Sequence, residues 1–115
     1  MTILVAVTDS EEGTLALERA VAEARLRGTG LLVANLRLDP LELPPGVDAK
    51  LVDRPPNTDV ADHVLALLDE HAGDVELLVI GMKRRSPVGK AVLGSLAQRL
   101  LLTADVPVLA VKTAG

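Results

Sequence analysis

Short, continuous apolar runs alternate along this chain with segments whose apolar residues recur at helical spacing. The runs predict strands, which are Ile3 to Val7, Leu31 to Leu36, Ala49 to Val52, Val75 to Ile80 and Val106 to Val111. Continuous apolar runs are typical of strands covered on both faces, as in a parallel sheet. Strands that alternate with helices form right-handed βαβ units. The predicted fold class is therefore α/β: a doubly wound, mainly parallel five-stranded sheet with helices on both faces.

The helical segments each carry apolar residues along one face. These residues are Leu17, Ala20, Val21 and Ala24 in the first helix, Val60, Val64, Leu67 and Leu68 in the second, and Leu93, Leu96, Ala97 and Leu100 in the third. Gly28 is predicted to end the first helix and Gly73 the second. The segment from Asp39 to Gly46 is rich in proline, which predicts a surface connection rather than a strand or helix.

Composition limits both the core and the kinds of partner. A chain of 115 residues with 49% hydrophobic residues suits one domain, residues 1–115. The net charge of -4 gives no reason to expect binding to nucleic acid or membrane. Without a signal peptide or an apolar run of about 20 residues, the protein is expected to be soluble and cytoplasmic.

Two residue classes are missing altogether. The sequence has no cysteine, which excludes a disulfide framework, a thiolate nucleophile and a cysteine-ligated metal. It also has no Phe, Tyr or Trp, so the core must be aliphatic. A nucleotide base, if one binds, is expected to lie on aliphatic side chains and backbone.

A basic segment with three glycines, Gly81 to Ser95, follows the fourth predicted strand. Glycines can expose backbone N–H groups, the following helix adds the positive end of its dipole, and Ser95 can donate a hydroxyl, so the segment suits a phosphate. Charge comes from Lys83, Arg84, Arg85 and Lys90. A solvated loop whose glycines act as caps and turns is the alternative that glycine content and charge alone leave open. Because ligands of doubly wound sheets bind at the carboxyl ends of the strands, the phosphate interpretation is favoured.

Asp9, at the end of the first strand, has two possible roles. It can cap the first helix, with Glu12 three residues later completing a capping box, although Ser10 can also cap. Alternatively, the carboxylate meets the adenine or ribose of a nucleotide. Both roles can coexist.

Other sites are weighed and set aside. A Walker A loop fails because Arg84 stands where it needs glycine and Ala91 follows Lys90. His63 and His71 lie on the second helix among acidic residues, but their spacing matches no common metal motif, and both are expected on a polar outer face. No catalytic or metal-binding residue is predicted.

Taken together, these residues resemble the universal stress protein family. The resemblance rests on Val5 to Ser10 at the end of the first strand, Ile80-Gly81, Gly94-Ser95, and Val106 to Lys112. Nucleotide-binding members of that family have glycine, two residues, glycine, nine residues, then glycine followed by Ser or Thr. Gly81 and Gly94-Ser95 stand at that spacing, and Arg84 replaces the middle glycine.

The resemblance implies a Rossmann-like fold of the adenine nucleotide alpha hydrolase-like type. It also implies that Thr8 and Asp9 approach the adenosine and that the backbone of Leu36 contacts adenine. The phosphates would be held by Gly81, Gly94 and Ser95, with the Arg84 guanidinium standing in for a backbone donor. The implied ligand is ATP, with or without Mg²⁺, and the implied partner is a second copy joined through Val106 to Val111.

The expected function is a stress-related regulatory module that binds an adenine nucleotide without rapid turnover and is not an enzyme. One alternative is a dimeric interaction module of the same fold in which Arg84 has abolished nucleotide binding. Slow nucleotide hydrolysis or transfer is the third possibility, although the sequence offers no obvious general base near the phosphate segment.

Overall fold

The computed structural model describes residues 1–85, 90–92 and 94–113, with the backbone alone at residues 84–85 and 90–92. The elements in chain order are β1 (Thr2–Val7), α1 (Glu11–Arg27), β2 (Gly30–Asn35), β3 (Ala49–Asp53), α2 (Val60–Glu70), β4 (Val75–Arg85), β5 (Lys90–Val92), α3 (Ser95–Thr103) and β6 (Val108–Lys112). Within these ranges no helix combines the length and apolar character needed to cross a membrane.

The main sheet is parallel and has β1 near its centre. β1 pairs with β2 on one side and with β4 on the other, β3 extends the sheet beyond β2, and β6 pairs with the outer edge of β4. The order β3-β2-β1-β4-β6 reverses its winding direction between β1 and β4. The predicted fold class is confirmed, and the reversal places the expected ligand position between the carboxyl ends of β1 and β4.

Alternate residues of β1 enter two aliphatic core layers. Ile3, Val5 and Val7 pack on the side of α1, whereas Leu4 and Ala6 pack on the side of α2 and α3. All five side chains are buried. This burial on both faces explains why the strand is continuously apolar rather than alternating with polar residues.

The proline-rich connection between β2 and β3 covers part of one face of the sheet, as a helix would. Leu41, Leu43 and Val47 pack against the same core layer as α1. The Arg25 guanidinium of α1 donates a hydrogen bond to the Pro45 carbonyl, at 2.9 Å. The predicted surface connection is therefore also part of the layer on that face of the sheet.

Helix α1 begins one residue later than an Asp9 cap would require. Ser10 is the N-cap, and its side-chain oxygen accepts a hydrogen bond from the Gly13 N–H at 3.1 Å. The capping box of Asp9 with Glu12 is therefore wrong, because the residue three positions after the true cap is Gly13. Gly28 ends the helix with φ of 67°, as predicted.

Two other boundaries differ from prediction. The last strand starts at Val108 rather than Val106, because Pro107 has no N–H to donate to a neighbouring strand, although its carbonyl accepts a hydrogen bond from the Leu78 N–H of β4. Helix α2 has His71 as its C-cap, and Gly73, with φ of 87°, belongs to the turn that follows.

Candidate functional site

A cavity of about 230 Å³ lies where the winding of the sheet reverses. Its described lining residues are Ala6, Thr8, Glu12, Ile80, Gly81, Lys83, Gly94, Leu96 and Ala97. They come from the ends of β1 and β4, the first turn of α1 and the start of α3. Thr8, Gly81 and Gly94 of the predicted site are thus brought to one cavity, whereas Asp9, Leu36 and Ser95 do not line it.

Thr8 is held against the first turn of α1. Its hydroxyl shares a 2.7 Å hydrogen bond with the Ser10 hydroxyl, and either oxygen could be the donor. A side chain at Gly13 would overlap with the backbone and hydroxyl of Thr8, so the helix can pass this close only with glycine there. The hydroxyl of Thr8 is therefore fixed by the same residue that caps the helix.

Gly81 allows β4 to approach α1 closely. A Cβ atom at this position would overlap with the backbone and Cβ of Glu12. This contact brings the half-buried Glu12 to the cavity wall, a role that the sequence did not predict. Only the packing of α1 on β4 could have indicated it, because Glu12 and Gly81 are far apart in the chain.

Unlike Gly81, Gly94 at the start of α3 is not required by a close contact with a described residue. It is the N-cap, no side chain caps the helix there, and its φ of -68° is open to any residue. Around the position of a missing Cβ, nothing in the described residues lies within 4 Å. The first turn of α3 also carries backbone N–H groups that have no partner within the helix, and the positive end of the helix dipole.

The segment predicted as a curled phosphate loop is largely a hairpin. β4 continues to Arg85, and β5 returns antiparallel to it, with Lys83 opposite Val92, Arg84 opposite Ala91 and Arg85 opposite Lys90. The loop interpretation is wrong for these residues, because their backbone is extended and in a ladder instead of curled around an anion. Residues 86–89 and Leu93, which belong to the same predicted segment, lie outside the described residues.

Arg84 is not strained by replacing a glycine. Its backbone is part of β4 and extended, a conformation that any residue adopts, so no cost of a left-handed backbone arises. The proposed grip of its guanidinium on phosphate stays a prediction, since the side chain lies outside the described part.

Asp9 and Leu36 stand beside the cavity at the ends of β1 and β2. The Asp9 carboxylate is exposed and pairs with the Arg37 guanidinium, with Nε 3.6 Å from Oδ1. Leu36 is buried, and its N–H donates to the Val7 carbonyl at 2.9 Å. The Leu36 N–H is therefore part of the sheet, which leaves its carbonyl as the backbone group to offer an adenine.

The two histidines do not share an outer polar face. His63 is only 5% exposed, and its Nε2 lies 3.4 Å from the Val52 carbonyl of β3. The expectation for His63 is wrong because α2 turns this position toward β3. Across the described residues, no group of three or more His, Cys, Asp and Glu side chains is placed to hold a metal ion.

Comparison with known proteins gives the family. The sequence model described as "Universal stress protein family" matches residues 59–112. A universal stress protein of Mycolicibacterium smegmatis is 40% identical, in an alignment that covers 98% of this chain and 98% of that protein. The chain belongs to the universal stress protein family. The predicted resemblance is confirmed.

Solved structures of universal stress proteins share the fold. A universal stress protein from Archaeoglobus fulgidus superposes with a TM-score of 0.73 at 27% identity, covering 97% of this chain and 98% of that one. A second Archaeoglobus fulgidus structure, in complex with dAMP, has a TM-score of 0.68 at 24% identity over 97% and 98% of the two chains. A family member from Burkholderia pseudomallei has a TM-score of 0.59 at 21% identity, covering 96% and 94%.

Proposed function

We propose that this universal stress protein is a stress-related regulatory module that binds an adenine nucleotide, with ATP as the expected ligand, and does not turn it over rapidly. The carrying observation is the cavity between β1 and β4, where Thr8, Lys83 and the start of α3 meet. No described residue lies within 4 Å of the position that a Cβ atom of Gly94 would take, at the helix N-terminus where an anion is favoured.

The size of the cavity suggests how a nucleotide would lie. At about 230 Å³ it is smaller than the roughly 300–1,000 Å³ that encloses a whole drug-sized ligand. It has room for the phosphate end, with Lys83 and the N–H groups of α3 as donors. The adenosine would then extend past Thr8 toward Asp9 and Leu36.

The archaeal complex supports adenine as the first base to test. The Archaeoglobus fulgidus protein in that structure is described as bound to dAMP. For this chain, dAMP and ATP are therefore the matched ligands with which to begin, and Mg²⁺ is added as a separate variable.

The described groups around the cavity support slow turnover. Glu12 is the one carboxylate among its described lining residues, and no histidine belongs to them. A hydrolase needs a placed general base and stabilisation of the developing charge. ATP hydrolysis is therefore expected to be much slower than ATP release.

The same proposal includes a homodimer through the last strand, Val106 to Val111. Within the described strands, β6 pairs with β4 alone, so its other edge is open to a second copy. The side chains of Val108 to Val111 are only partly buried, which leaves apolar surface to cover.

A charge-matched pair of variants tests nucleotide binding. Lys83 is exposed at the cavity, and Lys50 is exposed near the amino-terminal ends of the strands of the same sheet. ATP titrated by calorimetry should bind the wild type, and Lys83→Ala should weaken it about fivefold to tenfold, because one phosphate contact is lost. Lys50→Ala, with the same loss of charge, should bind like the wild type.

The absence of binding by wild-type protein at millimolar ATP would overturn the proposal. If the dimer also forms without nucleotide, as measured by sedimentation, the interaction module becomes the better interpretation. Phosphate release measured in the same samples tests the statement on turnover.

A further inference from the structure

The absence of aromatic residues leaves the base of the proposed nucleotide without its usual stacking partner. No Phe, Tyr or Trp occurs anywhere in the sequence. The other side chains with a flat face are histidine and arginine. His63 is buried against β3 and His71 lies in a groove with Thr2 and Asp74, so neither lines the cavity. Beside the aliphatic side chains and backbone expected under a base, an arginine with a partly exposed guanidinium, which is flat and weakly hydrated, is therefore the suitable partner.

Arg37 has a partner at each end. Its backbone N–H donates to the Asn35 Oδ1 at 3.0 Å, and its guanidinium forms an ion pair with Asp9, with Nε 3.6 Å from Oδ1. The side chain of Arg37 is 29% exposed, so the ion pair biases its position and leaves part of it open to a ligand.

Asn35 makes the backbone anchor rigid. It is 4% exposed, and its Nδ2 donates to the Asp53 Oδ1 at 3.0 Å and to the Asp39 carbonyl at 3.3 Å. One buried amide thus joins the last residue of β3 to the segment that follows β2. The fixed backbone limits where the Arg37 side chain can go.

The position of Arg37 matches the path expected of the adenosine. Asp9 directly follows Thr8, which lines the cavity, and Arg37 directly follows Leu36 at the end of the neighbouring strand. A nucleotide whose phosphate lies in the cavity and whose sugar passes Thr8 brings its base to this pair.

We propose that the guanidinium of Arg37, oriented by Asp9 and anchored through Asn35, is the surface on which the nucleotide base stacks. The proposal rests on the proposed nucleotide function and names the group that recognises the base. It predicts selection for a flat heteroaromatic base, with little effect on a ligand that has phosphate and no base.

Two probes and two arginine-to-lysine variants test it. The probes are ATP and inorganic tripolyphosphate, which lacks a base. Arg37→Lys keeps the charge and the means to pair with Asp9 but removes the plane, so ATP binding should weaken about fivefold to twentyfold while tripolyphosphate stays within about twofold. Arg19→Lys is the matched control, since the Arg19 guanidinium also pairs with a carboxylate, that of Glu23, at an exposed position of α1, and Arg19 lines neither the cavity nor the groove that contains Arg37. It is expected to leave the affinity for both probes unchanged.

A spectroscopic readout separates stacking from general damage. The protein absorbs almost nothing near 260 nm, so the adenine band can be recorded in the complex, where stacking should reduce its intensity. Arg37→Lys should abolish that reduction even at saturating ATP.

Each other outcome overturns the inference. If Arg37→Lys keeps the full affinity for ATP, the charge of the side chain suffices. If the variant loses affinity equally for ATP and tripolyphosphate, Arg37 contacts phosphate. If the variant binds ATP more tightly than the wild type, the Arg37–Asp9 pair covers the site. If wild-type protein binds no ATP, the nucleotide function falls as well. If the wild type binds ATP and Arg37→Lys binds it equally well, the stacking role alone is overturned.

Discussion

Gly81 and Gly94 belong to one glycine pattern, but they lack a side chain for opposite physical reasons. At Gly81 there is no room, because the backbone of Glu12 occupies the place of a Cβ atom. At Gly94 the described surroundings are empty, and its φ is one that any residue adopts. The first glycine is demanded by the packing of α1 on β4, whereas nothing within the described chain demands the second.

This difference separates folding from binding within a single motif. A substitution at Gly81 should change the free energy of unfolding, and one at Gly94 should change the affinity for a ligand. Conservation of both positions in a family pattern would therefore not mean that both contact the ligand.

The largest expected effect is on stability at Gly81. Gly81→Ala should lower the free energy of unfolding by about 2 to 3 kcal/mol, because two backbones must move apart to admit the methyl group. Urea unfolding followed by far-ultraviolet circular dichroism measures it, since the chain has no Trp for fluorescence. Gly30→Ala is the control, because its Cβ would meet neighbours only at ordinary contact distances of 3.6 Å and more. Equal stability of the two variants would erase the contrast with Gly94.

The second effect is on affinity at Gly94. Gly94→Ala should weaken ATP binding about tenfold, because the methyl group takes space in front of the first N–H groups of α3. Its unfolding free energy should fall by less than about 1 kcal/mol, the range of a changed helix cap. A variant that loses stability and keeps its affinity for ATP would reverse the assignment of the two glycines.

Glu12 sharpens the comparison, since it packs against Gly81 and faces the cavity. Glu12→Gln should raise the affinity for ATP about twofold to threefold in the absence of Mg²⁺, because a carboxylate beside the phosphates is removed. The gain should shrink when Mg²⁺ neutralises the phosphates. Glu18→Gln, on the exposed side of α1, is the charge-matched control. A loss of affinity that appears only with Mg²⁺ would instead assign Glu12 to the metal.

The smallest effect is expected at the opposite end of the strands, where Asp74 precedes β4. A hydrogen bond of 2.7 Å from the Thr2 hydroxyl is the main cause that holds the pKa of Asp74 below its ordinary value of 3.8, and the N-terminal charge adds to it. A lowered pKa means stability that is present above 3.8 and is lost as the pH falls below it.

Thr2→Val removes that hydrogen bond. The variant should be slightly less stable at neutral pH, and the difference from wild type should disappear in acid. Unfolding curves measured across this pH range give the result, and ATP affinity should not change. An unchanged stability difference in acid would mean that the hydroxyl, and not the ionised carboxylate, carries the effect.

The fold could be predicted because strands and helices follow local patterns. The continuous apolar runs identified the parallel strands, and Gly28 marked the end of α1. The same patterns indicated that the carboxyl ends of β1 and β4 lie together, and the reversal between these strands brings Thr8, Gly81 and Gly94 to one cavity. That these residues bind a nucleotide stays a prediction.

The errors arose where long-range contacts decide. The approach of α1 to β4 places Glu12 at the cavity, and the packing of α2 on β3 buries His63. The pairing of Arg84 with Ala91 is local, but a run of basic residues does not carry the apolar pattern of a strand, so the sequence did not predict this hairpin. Local sequence also could not choose between Asp9 and Ser10 as the cap, because both residue types cap helices well.

The central place of β1 has a consequence for the order of events during synthesis. The residues of β1 and β2 are both made early, but the other edge of β1 has no partner until β4 is made. There Thr2 pairs with Val75 and Val5 pairs with Val79. Contacts of such long sequence separation form slowly, and an incomplete sheet exposes apolar surface until they do. We therefore expect the cavity between β1 and β4 to be among the last features to form, and a ligand that fits it to favour chains whose folding is complete.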